Sequence, residues 1–207
     1  NVNWTAPASQ GIYQIKVKVT DDEGLFAEAV TTVLVKNFDA TPATLIAYYP
    51  FTGNANDASG NLLHGQLSGG TLISTDFWGN PAQAGMFDGI NDNVVVANNA
   101  LLNFQDAITV SCWFKATLLP DHEVFLLSHG SWQNRWKISV TPEKKIRWTI
   151  NTLNAVGDLD SETGIQKDSI YHIAVTYDGA HMALYLNGAL HTYKPLTGKI
   201  RTATVPF

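Results

Sequence analysis

Apolar and polar positions alternate with a period of two along much of this chain. Tyr13, Ile15, Val17 and Val19 interleave with Gln14, Lys16 and Lys18, the pattern of a strand that keeps one face dry and one wet. Thr20-Asp21-Asp22-Glu23-Gly24 is turn chemistry, and a second strand-like run follows through Ala27, Ala29, Thr31, Val33 and Val35. Residues 1–36 thus read as an extended segment followed by a hairpin, with too few strands to close a sandwich. The stretch Asn37-Phe38-Asp39-Ala40-Thr41-Pro42-Ala43-Thr44 has neither period and holds a proline among small residues, so a linker is expected over 37–44.

Beyond it, apolar or alternating runs occur at 45–51, 93–97, 108–116, 123–128, 135–140, 145–150, 170–177 and 182–187. Turn signals such as Tyr177-Asp178-Gly179 and Leu186-Asn187-Gly188 separate them. No segment sustains a helical period, and no repeat or low-complexity tract interrupts the pattern. The predicted fold class is all-β: an antiparallel two-sheet jelly-roll sandwich over 45–207, preceded by strands of a different domain.

Composition narrows the function. With 207 residues, of which 45% are hydrophobic, the chain can bury a substantial core. Its 13 Lys and Arg against 18 Asp and Glu leave a net charge of -5, without the basic footprint that phosphate backbones require, so no nucleic-acid partner is expected. No apolar run approaches the roughly 18 residues of a membrane span, and membrane insertion is not expected. Asn1-Val2-Asn3-Trp4-Thr5 lacks the basic and apolar regions of a signal peptide, so cellular location is an inference here and not a reading. Cys112 sits in the apolar run Ile108-Thr109-Val110-Ser111-Cys112-Trp113-Phe114, where a small buried thiol is the default.

Val2-Asn3-Trp4-Thr5-Ala6-Pro7, with the run Gly11 to Asp21 and Gly24, resembles the closing strands of a PKD or related immunoglobulin-like domain, a spacer module. Residues 1–36 would then be the end of such a domain. From about Leu45 the chain resembles the laminin-G-like branch of the concanavalin A-like lectin/glucanase superfamily. The residues that carry the likeness are Tyr48-Tyr49-Pro50-Phe51 with Asn56-Asp57-Ala58-Ser59-Gly60-Asn61 and His64-Gly65, then Phe87-Asp88-Gly89-Ile90-Asn91-Asp92. Ile108 to Phe114, Tyr171-His172-Ile173-Ala174-Val175-Thr176-Tyr177-Asp178-Gly179 and Leu184-Tyr185-Leu186-Asn187-Gly188 complete it. The resemblance implies a non-catalytic module of a large secreted or cell-surface bacterial protein that recognises glycans or mediates adhesion. The alternative is a structural brick of a surface filament or long adhesin that binds only neighbouring domains or subunits, with a glucanase-type hydrolase as the third reading. It also implies a last strand with an Asp-Glu pair after a glycine turn, whereas Val205-Pro206-Phe207 comes before any such segment, so part of one sheet is expected to be incomplete. Asp168-Ser169-Ile170 is similar to a short O-glycosylation acceptor motif of Bacteroidota.

Three constellations are candidate sites. Calcium takes six to eight oxygen ligands, and the loop holding Asp57, Ser59 and Asn61, with Asp88 and Asp92 nearby in the resemblance, has suitable chemistry. The spacing is not that of an EF-hand, and self-capping turns explain the same residues equally well. The resemblance implies a structural calcium held by Asp57, Asn61, Asp88 and Asp92.

The second candidate is aromatic. Trp132, Trp136 and Trp148 lie near Gln133, Asn134, Arg135 and Arg147, the mixture of flat apolar faces and donors expected of a sugar-binding surface. Alternation places Trp136 with Ile138 and Val140, and Trp148 with Ile146 and Ile150, in the core. Trp132, Asn134 and Arg135 remain as the expected ligand contacts.

The third is Asp158-Leu159-Asp160-Ser161-Glu162, similar to the alternating carboxylates of the glucanases. Strand positions four apart lie roughly 13 Å from each other, against the ~5–5.5 Å between the carboxyl groups of a retaining glycosidase. Gly157 and Gly164 point to a loop, so an acidic rim without catalysis is expected. The six histidines show no metal-binding spacing, and Ser128-His129 lacks the strained setting of a nucleophile elbow.

Overall fold

Residues 11–35 and 45–207 are described by the computed structural model. Asp21 closes the expected hairpin, its Oδ1 accepting from the backbone N–H of Glu23 and of Leu25 at 3.1 and 2.8 Å. Strands β1 (Gly11–Thr20) and β2 (Phe26–Val35) then pair antiparallel from Gly11↔Val35 to Thr20↔Phe26. The extended segment and the linker read from the sequence lie outside the described residues.

The second part is built of β3 (Gly65–Ser68), β4 (Leu72–Ser74), β5 (Ala84–Met86), β6 (Asn93–Val96), β7 (Ile108–Lys115), β8 (Val124–His129), a four-residue helical turn α1 (Ser131–Asn134), β9 (Trp136–Val140), β10 (Lys145–Asn151), β11 (Val156–Gly164), β12 (Ile170–Tyr177), β13 (His181–Leu186) and β14 (Ala189–Pro195). Two four-stranded antiparallel sheets result, in the orders β11-β10-β9-β8 and β14-β13-β12-β7, with small pairs β3–β6 and β4–β5 beside them. Among the described residues no helix is long and apolar enough to cross a membrane.

Alternation decides what the sheets bury between them. Trp136, Ile138 and Val140 of β9, Ile146, Trp148 and Ile150 of β10, and Leu159 of β11 pack with Ile173, Val175 and Tyr177 of β12 and Met182, Leu184 and Leu186 of β13. Each such aliphatic side chain contributes about 1.5–3 kcal/mol by leaving water. Phe207 packs against this core, with its ring centroid 5.5 Å from that of Trp136, and exchanges backbone hydrogen bonds with Val96.

Two expected elements change. Residues 45–51 form no strand: side chains of the following loop, not a neighbouring strand, hold that backbone, with Asn61 Nδ2 donating to the Leu45 and Ile46 carbonyls and Asp57 Oδ1 accepting from Tyr48 N. Conversely, residues 156–164 form a strand where two glycines pointed to a loop. Gly157 is there for packing, since a Cβ would lie 2.8 Å from both Leu196 and Met182 side-chain atoms.

Candidate functional site

Strand β9 is buried on both faces, which is unusual for a sheet with only one apolar side. Trp136, Ile138 and Val140 point to the core, yet Lys137 on the opposite face is only 2% exposed and Ser139 is fully buried. The register explains the company they keep. Phe125, Ser139, Arg147 and Asp160 form one row across the sheet, and Ser128, Lys137, Thr149 and Asp158 the next.

Two ion pairs lie on this face, Lys137–Glu123 and Arg147–Asp160. Lys137 Nζ donates to Glu123 Oε1, Ser139 Oγ donates to the same oxygen at 2.7 Å, and the ammonium lies 4.9 Å from the Phe125 ring centroid. Burial pushes the Glu123 carboxyl up, but the bonds from Lys137 and Ser139 and the charges of Lys137 and Arg147 outweigh it, leaving its pKa lowered. Arg147 grips Asp160 through two bonds, which hold the Asp160 pKa below its ordinary value despite partial burial. Thr149 Oγ1 donates to Asp158 Oδ1 at 2.5 Å. A cavity of about 200 Å³ opens here, lined by Glu123, Trp132, Lys137, Arg147, Val156 and Asp158.

Trp132 forms one wall and is held there from below. Gly130 takes a left-handed conformation, φ 71°, at the start of α1, and a Cβ on it would lie 2.6 Å from that of Asn134. Asn151 Nδ2 donates to the carbonyls of both Trp132 and Gln133 at 2.9 Å, and its Oδ1 accepts from Arg201 Nε at 3.0 Å. The turn backbone is therefore fixed while the indole stays 50% exposed. Trp136 and Trp148 are buried in the core, as alternation predicts.

Arg135 does not belong to this surface, contrary to expectation. It is 0% exposed, and its guanidinium donates to the carbonyls of Leu102, Phe104 and Arg201 and to His129 Nδ1 while lying 4.7 Å over the Phe104 ring. Burial lowers its pKa to about 10. Spent on backbone carbonyls, it fastens the segments around 102–104 and 201 to the sheet. Asn134 closes the helical turn, its N–H donating to the Gly130 carbonyl at 3.1 Å and its side chain lying under Gly130, so it supports Trp132. His129 accepts from Arg135 at Nδ1 and so carries its proton on Nε2, which donates to the Val205 carbonyl at 3.0 Å.

The residues expected to bind calcium are hydrogen-bonding turn residues. Buried Asp57 accepts from Tyr48 N and Ser59 N at Oδ1 and from Ser59 Oγ and Leu63 N at Oδ2. Burial raises its pKa, these four donors overcome that, and the value falls to about 2. Both carboxylate oxygens thus already accept hydrogen bonds from the turn. Asn61 turns its NH₂ toward Leu45, Ile46 and Ser59. Asp88 Oδ1 accepts from Ile90 N, and Asp92 Oδ2 accepts from Asp88 N. Asp92 Oδ1 is buried without a hydrogen-bond partner among the described residues. Among the described residues no group of three or more His, Cys, Asp or Glu side chains is placed to hold a metal ion.

Glu162 is exposed at the far end of β11, where its N–H donates to His191 Nδ1 at 2.9 Å, and it does not line the cavity. Cys112 faces inward, and burial pushes its thiol up to about 12, which keeps it unreactive.

The family model of the concanavalin A-like lectin/glucanases superfamily matches residues 87–207. The chain belongs to this superfamily. Solved structures share the superfamily's fold with it. Domain 4 of AbnA, a GH43 extracellular arabinanase from Geobacillus stearothermophilus, in complex with arabinotriose, matches with a TM-score of 0.61 and 18% identity over 79% of this chain and 82% of that one. A mutant of HCR/D matches with a TM-score of 0.56 and 17% identity, covering 71% of this chain but only 38% of that one. At such identities the likeness establishes the sandwich alone. A search of curated proteins gave no match.

Proposed function

We propose that this superfamily member is a non-catalytic glycan-binding module that takes a carbohydrate on the polar face of the β8–β11 sheet. One observation carries the reading: a charged network, already paired, lies on the floor of a cavity whose wall is an exposed indole on a fixed turn. Apolar sugar faces stack on such a ring, while Lys137, Arg147, Asp158 and Glu123 retain hydrogen-bonding capacity toward hydroxyls. The AbnA domain was solved with arabinotriose, which supports pentose oligosaccharides as first probes.

The same network argues against hydrolysis. A glycosidase needs a carboxylic acid held protonated opposite a second carboxylate. Glu123 and Asp160 are instead both held ionised, by Lys137 and Arg147. Asp158 is bound by Thr149. Release of reducing sugar from arabinan or xylan by the purified chain, lost on Asp158→Asn, would overturn the non-catalytic reading.

The module belongs, in this proposal, to a larger secreted or cell-surface protein with the hairpin as part of a neighbouring domain. Val17, Val19, Phe26 and Val30 are exposed on that hairpin, which favours contact with adjoining domains or subunits as a second role. Sedimentation of the chain as a monomer at all concentrations would contradict contact between copies. The primary test is a glycan array, on which selective binding supports the reading and uniform absence of binding sinks it.

A further inference from the structure

A second cavity, of about 520 Å³, lies on the outward face of the other sheet and is lined by Trp78, Trp113, Ile170, His172, Asn187 and Gly188. Its position follows from alternation. Trp113 of β7 and His172 of β12 are register partners, and they flank the inward-facing Cys112, Phe114 and Ile173. Their rings lie 4.9 Å apart, and Trp78 stands edge-on to Trp113 at 5.2 Å and 78°. Two indoles thus make a corner, although they are 61% and 53% exposed.

Trp78 is not a side chain left loose in a loop. Asp76 Oδ1 accepts from Trp78 N at 2.9 Å and Asn80 N at 2.8 Å, its Oδ2 accepts from Asn80 Nδ2 at 2.8 Å, and Phe77 packs against the indole at 5.7 Å. A small closed turn therefore presents a large apolar ring to water. The ring contacts with Phe77 and Trp113 hold the indole in place while most of it stays in water, as an aromatic platform requires.

The polar groups of the cavity have capacity to spare. Asn187 Oδ1 accepts from His172 N at 2.9 Å and Asn187 N donates to the His172 carbonyl at 2.8 Å, which fixes both residues. Among the described residues, Asn187 Nδ2 and the ring nitrogens of His172 make no hydrogen bond. The lining contains no Asp, Glu, Lys or Arg. Flat apolar faces, two uncommitted hydrogen-bonding side chains and no charge describe a receptor for a neutral polyhydroxylated ring.

We propose that this corner is a second glycan-binding site, stacking a neutral sugar residue on Trp113 with Trp78 as its side wall. It faces away from the cavity beside Trp132, so the module is bivalent and can bridge two chains or hold one surface by avidity. The ligand class is shared with the preceding proposal, but the residues are different, and the two stand or fall separately.

The test uses the indole N–H resonances of the full chain, assigned with Trp78→Phe, Trp113→Phe and Trp132→Phe and followed by NMR during titration with arabinotriose, xylotriose, cellotriose and mannotriose. The expected result is movement of the Trp78 and Trp113 signals with their own saturation curve, weakened about tenfold in Trp113→Ala, the loss that ~1.4 kcal/mol produces. Movement at Trp132 alone overturns the second site and leaves the first. Movement at Trp78 and Trp113 alone supports the second and removes the first. No movement with any sugar, or movement on dilution of the protein instead, overturns the second site, the latter in favour of a protein contact.

Discussion

Arg147 holds Asp160 across adjacent strands by two nearly parallel bonds, Nε to Oδ1 at 2.6 Å and NH2 to Oδ2 at 2.8 Å. The pair lies beside the cavity floor with both side chains about one-third exposed. Its role is to orient the guanidinium toward the cavity more than to stabilise the fold. Asp160→Asn should therefore cost no more than about 1 kcal/mol in chemical denaturation, the range of solvent-screened pairs, while weakening glycan retention clearly. Because the Asp160 pKa is lowered, the pair is fully formed above the ordinary carboxylate range and is lost only as pH falls through the lower folded value. Retention constant from pH 7 down to about pH 5 is expected, given the unperturbed Asp value of ~3.9.

His129 gives the fold a weakness toward acid that sets in at higher pH. It is buried with Arg135 donating to its Nδ1 and Phe207 packed edge-on, so a second ring proton has no acceptor. Burial first, then the Arg135 charge, lower its pKa, against a smaller opposing effect of the Val205 carbonyl. In the window from the lowered folded value up to the unperturbed ~6.5, the unfolded chain binds the proton and the folded one does not. Stability is thus complete above that window and declines as pH falls through it. Melting curves between pH 8 and pH 5 should show the decline, and His129→Gln should flatten it.

Asp57 is predicted to hold its corner without a cation. Asp57→Ala strands the buried Leu63 N–H and the part-buried donors of Tyr48 and Ser59, at a cost of about 3 kcal/mol for a charged, multiply bonded acceptor. The loss of melting temperature should be equal in calcium and in chelator. A wild-type melt raised by calcium would contradict this assignment.

The strands with strict alternation were legible because side-chain period and burial are the same fact there: 170–177 lies where the pattern puts it, and 108–116 and 145–150 differ by one residue at one end. Residues 45–51 misled because their apolar run is anchored by Asp57, Ser59 and Asn61 and not by a strand. Arg135 misled for a different reason. It sits one residue before β9 with the parity of the polar face, and its burial depends on carbonyls 31 to 66 residues away, which no local pattern reports. Trp132 was legible as a loop aromatic, but the floor beneath it was not, since Glu123, Lys137, Arg147 and Asp158 come from four separate segments.

Gly130 tests how Trp132 is positioned. Gly130→Ala meets both a left-handed backbone and the Asn134 Cβ 2.6 Å away, so it should destabilise by about 1–3 kcal/mol. Because α1 must shift to relieve the clash, glycan retention should fall even at temperatures where the variant remains folded, as read by circular dichroism alongside native electrophoresis.

In the proposed complex a glycan stacks on the indole of Trp132 over a floor of Lys137, Glu123, Arg147 and Asp158. Affinity electrophoresis in native gels containing arabinan, xylan, β-glucan or mannan tests it most directly, with wild type and Trp132→Ala run together. Retardation of the wild type by at least one of these polysaccharides is expected, with an apparent affinity about tenfold lower for the variant, the effect of losing ~1.4 kcal/mol of stacking. Equal retardation of the two proteins, or none of the wild type in any gel, would contradict it.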